Sequence, residues 1–210
     1  MRLLILGASG LVGSEVLKLA LTDPRAESII APTRRPLTSH PKLVNPVTTE
    51  LDSLLSSAGG WDVDAVVCAL GTTMSKAGSK ETFRHVDYVL PLEFARLTHT
   101  RGAHTFALTS SKGASASSLF FYTRTKGELE RDLAAVGFKS LTIAQPNLIG
   151  GDRQEFRPAE RILLQLTAML RPILPKGLRI SRASRIAEVL VEAAIAPSPG
   201  IHVVSSETFV

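Results

Sequence analysis

Short apolar runs alternate along the chain with segments of helical period. Residues 3–6 are a brief apolar run and predict a strand. Between residues 11 and 21 the apolar positions Leu11, Val12, Val16, Leu17, Leu19 and Ala20 recur at helical spacing, and Asp23-Pro24 ends that helix. Strands are predicted at 28–32, 65–70, 105–109, 141–144 and 201–204, with a short one near 43–47. Helices are predicted at 50–57, 80–100, 120–136, 159–170 and 184–196. Pro91 lies inside the second of these and predicts a kink or break there, while Gly137 stops the third. Strand–helix alternation of this kind predicts an α/β fold: a Rossmann-type, doubly wound, mostly parallel sheet with helices on both faces.

Length and composition narrow this picture. At 210 residues the chain fits one domain, 1–210, with residues 147–185 as a small basic lobe on the substrate side. A hydrophobic fraction of 44% and a charged fraction of 20% exclude disordered, collagenous and coiled-coil classes. The single cysteine, Cys68, excludes an internal disulfide framework and a multi-cysteine zinc site. The five histidines are scattered, so no metal is expected. The apolar N-terminal run is too short for a signal segment and no stretch reaches a membrane span, so the expected setting is cytoplasmic, without membrane contact. The net charge of +5 resides in residues 152–185, where eight basic residues face three acids and only Phe156 is aromatic. That distribution speaks against nucleic acid as a partner.

The chemistry begins at the first strand–helix junction, which reads Gly7-Ala8-Ser9-Gly10-Leu11-Val12-Gly13. Glycines at this spacing make a sharp turn, let a pyrophosphate approach the backbone, and pack the helix close to the sheet. The helix N-terminus then supplies free N–H groups to the phosphates. After the second strand an NAD-selecting site would hold Asp or Glu, whereas this chain has Thr33-Arg34-Arg35. Guanidinium groups suit a 2′-phosphate, so the expected cofactor is NADP(H).

Tyr122 and Lys126 are four apart on a predicted helix and share a face. An ammonium beside a phenol favours the phenolate and suits the tyrosine to exchange a proton with a carbonyl or alcohol. Ser110 and Ser111 close the preceding strand, at the sheet end where ligands of such folds bind, and can hold a carbonyl oxygen.

With these residues in place the chain resembles the atypical short-chain dehydrogenases/reductases. Within them it resembles the NmrA-like NAD(P)H-binding group, closest to the Tat-interacting-protein type of oxidoreductase. The resemblance rests on the glycine turn, Thr33-Arg34-Arg35-Pro36, Leu70-Gly71-Thr72-Thr73, Val86-Asp87-Tyr88, Ser110-Ser111-Lys112-Gly113-Ala114, Tyr122-x-x-x-Lys126-Gly127-Glu128 and Pro146-x-x-x-Gly150. It implies NADP(H) contacts from the glycine turn, from Thr33, Arg34, Arg35 and residues 70–73, and from Pro146. It also implies a Ser–Tyr–Lys site with Tyr122 as acid/base. Two positions depart from the pattern. Asp87 stands where many members place a relay Asn, and Gln145-Pro146 stands where Arg-Pro is common.

The leading expectation is an NADPH-dependent reductase of a small carbonyl compound, acting as a monomer or homodimer. A non-enzymatic NADP(H) sensor and, less so, a sugar-nucleotide epimerase or dehydratase are the alternatives. Cys68 is expected to be a buried small apolar group, Trp61 a loop anchor, and Phe120 and Phe121 either core or the wall of an apolar mouth.

Overall fold

The computed structural model describes residues 1–58, 60–150 and 180–210. The main sheet consists of β1 (Arg2–Leu6), β2 (Ser28–Ile30), β3 (Leu43–Val44), β4 (Ala65–Cys68), β5 (Thr105–Thr109), β6 (Ser140–Gln145) and β9 (Gly200–Ser205). Their order is β3-β2-β1-β4-β5-β6-β9, and every neighbouring pair is parallel. This is the doubly wound order, in which the chain reverses direction across the sheet between β1 and β4. Two further short strands, β7 (Ile149–Gly150) and β8 (Ser181–Arg182), pair with each other away from the main sheet.

The strands read as apolar runs because both of their faces are covered. Leu3 and Ile5 of β1 point to a layer holding α1 (Leu11–Thr22) and α7 (Ala183–Ile195). Leu4 and Leu6 point to the opposite layer, which holds α2 (Ser53–Ala58), α5 (Leu90–Thr100) and α6 (Phe121–Val136). Cys68 is fully buried, and burial pushes its thiol up to about 11, so it is an inert core group. Trp61 anchors its loop by stacking on Phe94, with ring centroids 6.3 Å apart. Phe209, in a closing turn of 3₁₀ helix at Ser206–Phe209, completes the α1–α7 layer; the sequence pattern gave no sign of it.

The segment expected as one long helix around Pro91 is three pieces. After α3 (Met74–Ala77), α4 (Lys80–Arg84) runs into a π turn at His85–Val89, and α5 follows. Pro91 has no N–H to give to the preceding turn, and the Leu90 N–H reaches back five residues to the His85 carbonyl. The expected kink is thus a widened turn, and it buries Asp87. The predicted helix at 159–170 and most of the basic run, Arg153 to Arg179, lie outside the described residues. Of the basic lobe only its two ends, held together by β7 and β8, are described.

Close packing at the first junction depends on Gly13. A Cβ there would stand 2.0 Å from the Gly7 carbonyl oxygen, backbone against backbone. Gly13→Ala is therefore expected to cost ~1–3 kcal/mol or more in urea unfolding, by overpacking. An unchanged unfolding midpoint would contradict the close approach.

Candidate functional site

The site lies at the carboxyl ends of the central strands. Gly7 leaves β1 with a φ of 83°, a left-handed conformation that favours glycine. The turn presses against the end of β4, since a Cβ on Gly7 would stand 2.6 Å from the Ala69 carbonyl oxygen. Gly10 N-caps α1 without a side-chain cap, and no acid occupies the first helical turn. The leading N–H groups of α1, at Leu11, Val12 and Gly13, therefore lack intrahelical carbonyls and face no carboxylate from that turn. Ala8 is buried beneath the turn, while Ser9 and Gly10 are exposed above it.

Beyond β2, Thr33 is buried and Arg34 and Arg35 are exposed. The Thr33 hydroxyl donates to the Arg35 carbonyl at 2.6 Å. Asn45 buttresses this corner: its Nδ2 donates to the Ala31 carbonyl at 2.6 Å and to Thr33 Oγ1 at 2.8 Å, and its Oδ1 accepts from the Leu37 N–H at 2.8 Å. The corner therefore holds a fixed backbone, and among the described residues neither guanidinium has an ion-pair partner. Asn45 was not foreseen, because its only sequence signal is one amide between two prolines.

The centre of the site is a buried ion pair. Lys126 Nζ lies 2.8 Å from Asp87 Oδ1, with the two side chains 5% and 1% exposed. The ammonium is the close charge partner of that oxygen. The other oxygen, Oδ2, accepts from the Thr72 N–H at 2.8 Å. Burial alone would lower the Lys126 value, but the Asp87 carboxylate, with Tyr122, overrides it and raises the ammonium above its ordinary range. Lys126 is therefore charged throughout the neutral range. Gly71 lies directly above the pair, for a Cβ there would stand 3.4 Å from Asp87 Oδ1 and 3.9 Å from Lys126 Nζ. Thr73 is committed locally and N-caps α3 by accepting from the Lys76 N–H.

Tyr122 sits one turn before Lys126 on α6 and is 38% exposed. Its ring leans on the buried Phe83, centroids 5.5 Å apart, and Phe121 packs on Phe83 beside it at 5.7 Å. Phe121 is half-buried, whereas Phe120 is 78% exposed. The two serines divide. Ser110 is buried and its hydroxyl donates to Glu130. Ser111 is half-buried, and among the described residues its hydroxyl makes one long bond, to the Lys112 carbonyl at 3.4 Å. The Ser110 O–H is thus directed to the Glu130 carboxylate. Pro146 is buried, and its carbonyl accepts from the Lys112 N–H at 2.8 Å, tying the loops after β5 and β6 together.

Glu130 is the site residue that sequence reasoning missed. It was legible as the third member of an i, i+4, i+8 stripe after Tyr122 and Lys126, a polar stripe on a helix face that meets the sheet. Among the described residues no group of three His, Cys, Asp or Glu side chains is placed to hold a metal ion.

The sheet order and the glycine turn define a Rossmann-type, doubly wound fold. Solved structures agree in fold. The Bordetella bronchiseptica enzyme WbmH, solved in complex with NAD+, superposes with a TM-score of 0.72 at 15% identity over 98% of this chain and 75% of its own. UDP-glucose 4-epimerase from Thermotoga maritima, solved with UDP-glucose, gives 0.72 at 14% identity over 99% of this chain and 77% of its own.

Residues 47–174 match the HIM1 family, and the chain belongs to it. "Protein FMP52, mitochondrial" of Candida albicans is 38% identical over 72% of this chain and 68% of its own length. The Aspergillus niger protein of the same name is 33% identical over 97% of this chain and 88% of its own. These names overturn the expected cytoplasmic location, since both relatives are called mitochondrial. Among the described residues no helix is long and apolar enough to cross a membrane.

Removing one partner of the central pair would strand a buried charge. Asp87→Ala is expected to lower the unfolding free energy by ~3–5 kcal/mol, and a second change, Lys126→Met, to recover most of that loss. Chemical denaturation of the two variants measures both. A single variant as stable as the parent would show that the pair is not buried as described.

Proposed function

We propose that the chain is an NADP(H)-dependent oxidoreductase that reduces a small carbonyl compound, with Tyr122 as the proton donor. The observation that supports it most is the charged, buried Lys126 beneath the β4 loop, one helical turn from a tyrosine that reaches solvent. The residues present fit a dinucleotide. The glycine turn leaves backbone space that a Cβ would fill, and the α1 N-terminus meets no acid in its first turn. The free Arg34–Arg35 corner favours a 2′-phosphate over a bare ribose. The motif run extends the resemblance to the NmrA-like, Tat-interacting-protein type of oxidoreductase, and the names of the relatives support a mitochondrial place of action.

When bound, the cofactor would supply hydride. The protein supplies position and a proton. The turn at residues 7–13 and the α1 N-terminus would hold the pyrophosphate, while Arg34 and Arg35 take the 2′-phosphate. Lys126 keeps N–H donors beyond the contact with Asp87, and these would orient the nicotinamide ribose. Ser111, rather than Ser110, would hold the carbonyl oxygen, and Tyr122 Oη would deliver the proton to it as negative charge develops. Asp87 holds the ammonium in place for these contacts.

Tyr122→Phe is expected to abolish NADPH-dependent turnover of aldehydes and ketones while NADPH affinity stays within a few-fold, measured by steady-state kinetics and calorimetry. Retained turnover would remove Tyr122 from the reaction. Arg34→Ala is expected to weaken NADPH binding roughly 10- to 100-fold and leave NADH binding unchanged, since one charge-assisted contact is worth about 1.5–3 kcal/mol. Equal weakening of both cofactors would contradict 2′-phosphate recognition.

A further inference from the structure

Glu130 has no part in the steps above, yet the site is assembled around it. It follows Lys126 by one turn of α6, and three elements meet at its carboxylate. From the end of β5, Ser110 Oγ donates to Oε1. From the end of β6, Gln145 Nε2 lies 3.0 Å from Oε1 and 3.0 Å from Oε2. Both contacts suit an ionised carboxylate, which accepts from the Ser110 O–H and the Gln145 amide together. Among the described residues Lys126 is the charged group that acts on it; the groups facing it from β5 and β6, Ser110 and Gln145, are neutral. Asp87, on the π turn, is paired with that same Lys126.

We propose that ionised Glu130 is a positioning residue, fastening the carboxyl ends of β5 and β6 to α6 and so fixing Ser111 and Pro146 relative to Tyr122 and Lys126. Its catalytic consequence rests on the proposed reductase reading; the fastening itself does not. The Ser110 and Gln145 side chains lead directly into Ser111 and Pro146, whose loops are joined by the Lys112–Pro146 backbone bond. Release of the carboxylate therefore loosens the two loops that frame the space beside Tyr122.

The clamp is proton-sensitive. Burial pushes Glu130 above the ordinary carboxylate range, and the bonds from Ser110 and Gln145 and the Lys126 charge pull it only partly back. Activity should fall as pH drops through that raised value. Stability has the opposite sign. A carboxyl whose value is higher folded than unfolded favours the fold when protonated, and that contribution is lost as pH rises through the folded value. A neutral replacement at pH 7 should therefore leave stability intact or improved, while the position of the loops suffers.

Glu130→Gln separates the two. It keeps the shape and one acceptor for Ser110, removes the charge, and sets an amide N–H against Gln145. The test compares the full-length parent and variant by thermal unfolding, by hydrogen–deuterium exchange of residues 110–113 and 145–148, and by NADPH-dependent reduction of 4-nitrobenzaldehyde from pH 5 to 8. The variant is expected to melt at or above the parent temperature at pH 7 and to exchange faster in both loops. Its kcat should fall about tenfold or more, with little change in KM for NADPH and no acid limb in its pH profile. Exchange and pH profile like those of the parent would overturn the proposal, as would a drop in melting temperature that accounts for the lost activity. If the parent reduces no member of a panel of aldehydes and ketones, the reductase reading fails, and exchange alone decides whether Glu130 fastens the loops.

Discussion

The structure depends most on the need to neutralise one buried ammonium. Lys126 enters the protein from α6 with its side chain only 5% exposed, and a charge in such a place needs a close partner. Asp87 meets it only because the helix before Pro91 widens into a π turn and carries the carboxylate inward. The Thr72 N–H closes the arrangement by holding the second carboxylate oxygen, which draws the β4 loop over the pair. One ion pair thus fastens three separated segments and places Gly71 and Tyr122 on either side of it. A buried pair of this sort adds little net stability compared with apolar packing, so its retention points to positioning.

The phosphate end of the site obeys a different constraint. There the working groups are backbone N–H donors and the absence of side chains, so close approach matters more than charge. Gly13 against Gly7, and Gly7 against Ala69, leave no space for a Cβ. Asn45 does for the arginine corner what Asp87 does for the centre, holding a backbone so that Arg34 and Arg35 stand clear. The two halves meet where the β1 and β4 ends touch, the switch point at which folds of this order bind their ligands.

Much of this was legible in the sequence, for physical reasons. Strands buried on both faces appear as uninterrupted apolar runs, so β1, β4 and β5 were placed within a residue or two. The glycine turn was legible because its backbone conformation excludes other residues, and Tyr122 with Lys126 because helical period puts both on one face. Pro91 announced a disturbance, but not that the disturbance would bury Asp87, since the choice between a kink and a π turn is made by packing. The serine pair could not be divided in advance. Ser110 and Ser111 are identical in type, and only strand alternation, which turns Ser110 toward α6 and Glu130, tells them apart. Asn45 and Glu130 escaped notice because each acts through partners distant in sequence. The cytoplasmic assignment failed because composition and hydropathy carry no address, and the relatives called mitochondrial overturn it.

The central claim is that the space above Lys126 and beside Tyr122 is where hydride and proton reach a carbonyl. It is tested most directly by a single-turnover experiment with NADPH deuterated at nicotinamide C4 and an excess of the protein, with the product carbinol analysed by mass spectrometry. The account predicts deuterium on the carbinol carbon from one face of the nicotinamide only, at a rate that disappears when the Tyr122 hydroxyl is removed. Tight NADPH binding with no label transferred to any aldehyde or ketone would contradict it and leave a dinucleotide-binding protein without reductase chemistry.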